Sequence, residues 1–308
     1  MQSTHKAPFF EKLEDRQLLS SCASTGLNKC PPTPMAATAT VRAIPQAKVS
    51  KKAIKKAVPP AKNLLFFGNS FTLYNNVPEA IAQIAEAAGN LRPNIFSQTT
   101  VGWTLHDHLN QIATDGSNNI IQRSLPAGAT WDDVVIQEFS TRPLNVTAAP
   151  ASGDVAGFRA DARTLFNLVY ANSNTVKEVI TETWARGADN PMYPAAYATP
   201  SNMQNDLLNN YTAASNEING AYGAGSSTLA KAGEAWRAYN FDPTLYSGAD
   251  EYHASTSGSL LEALTVFKSI YHTKAINVSA YKMTNLLSAY ALSPKAFKRL
   301  ALLADKVG

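Results

Sequence analysis

The chain is predicted to be an α/β protein whose mostly parallel sheet carries helices on both faces. Three observations predict it. From Asn63 onward, short apolar runs alternate with segments of helical periodicity. The 308 residues are 45% hydrophobic and 16% charged, which suits a soluble globular core of some size. The residues able to carry chemistry fall just after the strand-like runs or in a loop near the end of the alternating region, where such sheets place their sites.

Asn63-Leu-Leu-Phe-Phe, closed by Gly68, reads as a buried strand. A helix follows at once, with Pro78 in its first turn, Ile81, Ile84, Ala85 and Ala88 on one face, and Gly89 as terminator. Asn94 to Thr99 reads as a second strand, Leu105 to Ala113 as a short helix, and Asp133 to Gln137 as a third strand. A helix over Val155 to Ala171 precedes a strand at Glu178 to Thr183. A further helix runs from Asn202 to Tyr222, with Met203, Leu207, Tyr211 and Ala214 on one face. A short strand lies near Leu229 to Ala232. The last helix begins after Ser257 and lines up Leu260, Leu264, Phe267 and Tyr271. Residues 275–308 read as one or two amphipathic helices that either pack on the domain or meet a partner.

Charge is segregated. Residues 1–62 hold 11 Lys/Arg against 3 Asp/Glu, leaving 16 against 20 in residues 63–308. The basicity therefore belongs to the leader, and the case for a nucleic-acid-binding domain largely falls away. Ala, Pro, Thr and Lys dominate that leader, a composition too poor in large apolar groups to offset ordering entropy. It is expected to be a flexible leader and linker over 1–62, followed by one domain over 63–273 and a helical extension over 274–308. Both cysteines, Cys22 and Cys30, lie in the leader, so the domain has no disulfide or thiolate metal site; whether the two pair is open. No run approaches the apolar length of a membrane span.

Ser70 sits one step past the first strand, in a turn that exposes its hydroxyl. Asp250 and His253 are three apart, a spacing that lets the carboxylate fold back onto the imidazole. Glu251 is an alternative orienting carboxylate at poorer spacing. His106 and His108 flank Asp107; on a strand they would share a face as metal ligands, but on the predicted helix they point apart, and one of them lining the cleft is the better expectation. Trp103, Trp184 and Trp236 read either as core or as stacking surfaces for sugars.

Taken together, Gly68-Asn-Ser-Phe-Thr, Val101-Gly102-Trp-Thr-Leu, Val135-Ile-Gln-Glu-Phe-Ser and Asp250-x-x-His253 resemble, in this order, the blocks of the SGNH (GDSL-like) serine hydrolases, over about two-thirds of the chain. The likeness is greatest to a bacterial subgroup that opens with Gly-Asn-Ser-Phe-Thr and carries Gln-Glu in the third block. Ile180-Thr-Glu-Thr-Trp-Ala-Arg and Ala232-Gly-Glu-Ala-Trp-Arg also look similar to it. The resemblance implies a flavodoxin-like three-layer fold and a triad of Ser70, Asp250 and His253. It implies an oxyanion hole from the Ser70 and Gly102 N–H groups and the Gln137 amide. Asn69 stands where most relatives have Asp, and Glu138 is a substrate-contacting or structural carboxylate.

The activity implied is a serine esterase removing acyl groups, acetyl among them, from a carbohydrate or similar polar ester, without metal or cofactor. The rival reading is a non-catalytic cell-surface protein on the same scaffold, and a further one is a basic tethering protein acting through its leader. Phe9-Phe-Glu-Lys-Leu-Glu-Asp-Arg-Gln-Leu-Leu-Ser resembles a leader motif of exported planctomycete-type proteins and implies an exported or cell-surface location rather than a cytoplasmic one. The loops 140–154 and 185–200 are expected to shape specificity. Acyl group, alcohol and oligomeric state are left open.

Overall fold

The computed structural model describes residues 59–308 apart from Ala249. The leader motif, Cys22 and Cys30 lie outside the described residues. Five strands, β1 (Asn63–Gly68), β2 (Asn94–Thr99), β3 (Asp133–Ile136), β4 (Lys177–Thr181) and β5 (Ser227–Ala230), form one fully parallel sheet in the order β2-β1-β3-β4-β5. The α-helices are α1 (Ser70–Leu73), α2 (Val77–Ala87), α3 (Leu105–Asp115), α4 (Ile120–Arg123), α5 (Val155–Asn172), α6 (Met192–Ala195), α7 (Pro200–Tyr222), α8 (Ala232–Ala238), α9 (Thr256–Tyr271), α10 (Thr284–Ala289) and α11 (Pro294–Lys306).

Alternation along the buried strands sorts side chains between two cores. Leu64, Phe66, Val135 and Val179 pack with α2, α8, α9 and α11. Leu65, Phe67, Val134, Ile136 and Ile180 pack with α3, α5 and α7. The expected three-layer α/β fold is the observed one. Strand order reverses between β1 and its neighbours β2 and β3, which opens a crevice at their carboxyl ends.

The sequence reading differs at the first helix and the last strand, and β4 ends at Thr181, two residues short of the expected Thr183. A single turn, α1, precedes α2, and the chain breaks between them at Asn75 and Asn76, whose φ values of 57° and 51° are left-handed. Asn tolerates this region better than most residues. Strand β5 starts at Ser227, two residues before the apolar Leu229 on which the expectation rested. Its polar start is held inside by Glu178, which accepts a hydrogen bond from the Ser227 hydroxyl.

Residues 275–308 fold back on the domain. Leu286, Leu287, Phe297 and Leu300 share the core of α9, Lys268 Nζ donates to the Ala304 carbonyl at 2.8 Å, and Asp305 accepts from the Ala275 and Ile276 N–H groups. At the other pole, Lys62 pairs with Asp133 at 2.7 Å and the Asn63 N–H donates to Asp132, fixing where the chain enters β1. Among the described residues no helix is long and apolar enough to cross a membrane.

Candidate active site

Ser70 follows β1 by two residues and begins α1, so its N–H is a first-turn donor that no helical carbonyl can satisfy. Asn69 caps that turn: its side-chain oxygen accepts from the Phe71 N–H at 3.2 Å, and its amide donates to the Trp103 carbonyl at 3.0 Å. The turn carrying Ser70 is thereby tied to the loop carrying Gly102. Gly68 is required by close approach, since a Cβ there would lie 2.5 Å from Thr72 Oγ1 and 3.0 Å from Gln137 Oε1.

His253 Nε2 lies 2.8 Å from Ser70 Oγ, and its Nδ1 lies 2.5 Å from Asp250 Oδ2. The other oxygen of Asp250 accepts from the N–H groups of Tyr252 and His253, both at 3.0 Å. Burial alone would raise the Asp250 carboxyl; the His253 N–H, the imidazole and the Tyr252 N–H outweigh it and hold the group below the usual carboxylate range. An ionised Asp250 fixes the proton on Nδ1 and leaves Nε2 to accept from the serine hydroxyl. Glu251 does not share this role. Its φ of 56° turns it away, its carboxylate packs beside Gly187, and its carbonyl accepts from the Gly187 N–H at 2.7 Å.

Gly102 has a φ of 78°, a left-handed conformation that favours glycine. Among the described residues neither its N–H nor that of Ser70 meets a protein acceptor. Gln137 is buried at the end of β3. Its oxygen accepts from the Asn69 N–H at 3.1 Å and the Thr72 hydroxyl at 3.0 Å, while Nε2 donates to the Glu138 carbonyl. These partners fix the amide orientation and commit one of its two N–H bonds. Glu138 is fully buried and braces the same loops: it accepts from the Leu105 and Phe139 N–H groups and pairs with Arg142 at 2.9 Å. Burial raises its pKa to about 7 against the pull of Arg142 and both N–H donors. Its position is structural rather than substrate-contacting.

The two histidines of the Asp107 segment part company. His106 is exposed beside Asp161, whereas His108 is buried and its Nε2 contacts the Gly68 carbonyl at 3.0 Å. Burial lowers its pKa to about 4, so the ring is neutral at pH 7 and Nε2–H donates. The two rings do not converge on a shared ligand position. Trp184 and Trp236 are fully buried and stack at 4.0 Å between centroids, so of the two readings they are core and not sugar platforms; Trp103 is half-buried against His108.

The sequence left the tryptophans of the Glu182-Thr-Trp-Ala-Arg and Glu234-Ala-Trp-Arg stretches between core and stacking surface and gave their arginines no task. The structure places them together beneath the site. Phe71 stacks on Trp184 at 4.6 Å, Trp184 stacks on Trp236, and Trp184 Nε1 donates to the Tyr252 carbonyl at 2.9 Å. Arg186, also buried, lies 4.4 Å over the Tyr252 ring and donates to Ser140 at 2.9 Å; burial lowers its pKa to about 10 and leaves it charged at pH 7. Both stretches carry Glu, Trp and Arg in that order, but only the fold shows what they face.

The arrangement brings a serine hydroxyl, an imidazole and a carboxylate into one hydrogen-bonded line beside the carboxyl end of β1. Among solved structures, the chain is similar to a candidate SGNH hydrolase from Slackia heliotrinireducens at 23% identity and TM-score 0.51, covering 68% of this chain and all of that one. It is also similar to a DUF4886 family protein from Bacteroides uniformis at 17% identity and TM-score 0.55, covering 80% and 94% of the two chains. An acetylxylan esterase from Geobacillus stearothermophilus aligns at 14% identity and TM-score 0.49, covering 71% and 97%. No protein-family model and no curated protein matches the chain. The chain has the SGNH-hydrolase fold.

Proposed function

We propose that the protein is a serine esterase that removes acyl groups, acetyl among them, from a carbohydrate or similar polar ester through a covalent acyl-enzyme. The observation that carries the proposal is the unbroken relay from Ser70 Oγ through His253 to Asp250, at 2.8 and 2.5 Å. Ser70 Oγ attacks the ester carbonyl as His253 Nε2 takes its proton, and Asp250 stabilises the imidazolium. The tetrahedral oxyanion accepts from the N–H groups of Ser70 and Gly102 and from the Gln137 N–H left over from its bond to Glu138. Collapse expels the alcohol, which takes the proton from His253. Water, deprotonated by the same imidazole, then releases the acid and restores Ser70. The carbohydrate is carried by the family resemblance, and an extracytoplasmic location by the leader motif.

The test is hydrolysis of p-nitrophenyl acetate by the full chain beside Ser70→Ala and His253→Ala, with a serine-reactive phosphonate followed by mass spectrometry. Loss of turnover in both variants, with labelling at Ser70 alone, is the expected result. A parent protein that neither turns over nor takes the label overturns the proposal.

A further inference from the structure

We propose that the rim of the Ser70 cleft is an apolar collar that holds a hydrophobic group of the ester, so that the substrate bears an alkyl or aryl moiety. The inference rests on Ser70 being the esterase nucleophile. Among the described residues eight large hydrophobic side chains are exposed, and half of them lie on the three loops that carry Ser70, Gly102 and Gln137. Leu73 (41% exposed) and Tyr74 (41%) follow Ser70, Val101 (53%) precedes Gly102, and Phe139 (36%) lies two residues after Gln137. The other four are dispersed, on the loop before β2, on α5, near α10 and on α11.

The three loops leave β1, β2 and β3, and β1 lies between the other two, so they emerge side by side at the strand spacing of about 4.8 Å. The Tyr74 ring comes within 4.9 Å of the His253 ring, which places the collar against the reacting atoms. The stretches of these loops next to the strand ends carry no exposed charge. Over residues 69–76, 100–104 and 137–141 the one carboxylate or cationic side chain is Glu138, and it is fully buried. Single exposed apolar residues are ordinary on a protein surface, but a neutral cluster of them around a nucleophile marks a recognition surface. An alkyl chain laid across it leaves water at no cost in desolvated charge. Each methylene that reaches the collar is worth roughly fourfold in kcat/KM until the surface is covered.

The experiment compares p-nitrophenyl esters from acetate to octanoate, a second series of methyl, butyl and benzyl acetates, and labelling by p-nitrophenyl phosphonates of increasing alkyl length. It uses the full chain beside Tyr74→Ser and Phe139→Ser. Rates that climb with acyl length and flatten in both variants support the collar with the acyl chain as occupant. A climb confined to the alcohol series, flattened likewise, supports it with the alcohol as occupant. Rates independent of length in both series, or a climb the variants leave intact, overturn the collar while the esterase reading stands. No turnover and no labelling by any phosphonate removes both.

Discussion

The indole N–H of Trp184 donates to the carbonyl of Tyr252, the residue before His253, while the same ring stacks on Phe71, the residue after Ser70. One side chain on the β4 loop thus bears on both Ser70 and His253, which arrive from positions 183 residues apart in sequence. In Trp184→Phe the stack persists but the Tyr252 carbonyl loses its donor, at a cost of about 1–3 kcal/mol. Turnover of p-nitrophenyl acetate is expected to drop roughly 10- to 100-fold in kcat with KM nearly unchanged, since displacing a catalytic group by about 1 Å can cost on the order of 100-fold. A variant that loses stability but keeps kcat would confine Trp184 to packing.

The carboxylates at 250 and 251 are expected to separate cleanly. Asp250→Asn removes the charge that fixes the His253 tautomer and should lower kcat by about 10⁴, the loss seen when a triad aspartate is neutralised in another serine hydrolase. Glu251→Gln should leave the pH–rate profile in place, because that carboxylate faces Gly187. Equal losses in the two variants would show that Glu251 orients the imidazole.

Gly68 and Gly102 serve different physical ends, and substitution should reveal it. An alanine at 68 meets Thr72 Oγ1 at 2.5 Å and Gln137 Oε1 at 3.0 Å, so Gly68→Ala is expected to destabilise by roughly 1–3 kcal/mol and to disturb Ser70. An alanine at 102 meets nothing within 4 Å but must adopt a φ of 78°. Gly102→Ala should therefore cost only about 1 kcal/mol in stability, from left-handed strain, and yet reduce kcat by moving its N–H. Urea denaturation paired with esterase kinetics checks both; a Gly68→Ala protein as stable as the parent would refute the close-packing argument.

Buried carboxyl groups predict an alkaline loss of stability. Glu178 and Glu182 are fully buried, and burial raises each from the ordinary 4.5 to about 8. Each contributes fully below about 4.5, where both folded and unfolded chains are protonated. The contribution falls as the unfolded chain ionises and is lost as pH passes through 8. His108 works in the opposite sense: lowered to about 4, it favours the folded chain above 6.5 and loses that contribution on acidification toward 4. Glu178→Gln keeps an acceptor for the Ser227 hydroxyl and should be more stable than the parent at pH 9, by on the order of 1–4 kcal/mol. Parallel stability–pH curves for the two proteins would contradict the burial argument.

Much of this architecture was readable from periodicity. The buried strands β1, β3 and β4 announced themselves as unbroken apolar runs, and α9 through Leu260, Leu264 and Phe267, because burial on one or both faces leaves a direct trace in sequence. The start of β5 did not, since an edge strand opening on Ser227 hides its partner, Glu178, far away in the chain. Within the site, the three-residue spacing of Asp250 and His253 sufficed to anticipate their contact. The tasks of Asn69, Trp184 and Glu138 were illegible because each depends on what lies across the fold: the Trp103 carbonyl, the Tyr252 carbonyl and the N-terminus of α3. Gln137 follows the apolar run of β3 directly, but only the structure shows how many of its hydrogen-bonding positions are already taken.

The Lys62–Asp133 pair marks where the chain enters β1, and Ser70 lies just beyond that strand's other end, about 20 Å away. The chain therefore enters the domain at the pole opposite the cleft. Tension applied at that entry would be borne by the start of β1 and its ion pair before it reached the turn that carries Ser70. Entry and cleft can thus be perturbed independently, one at each end of the same strand.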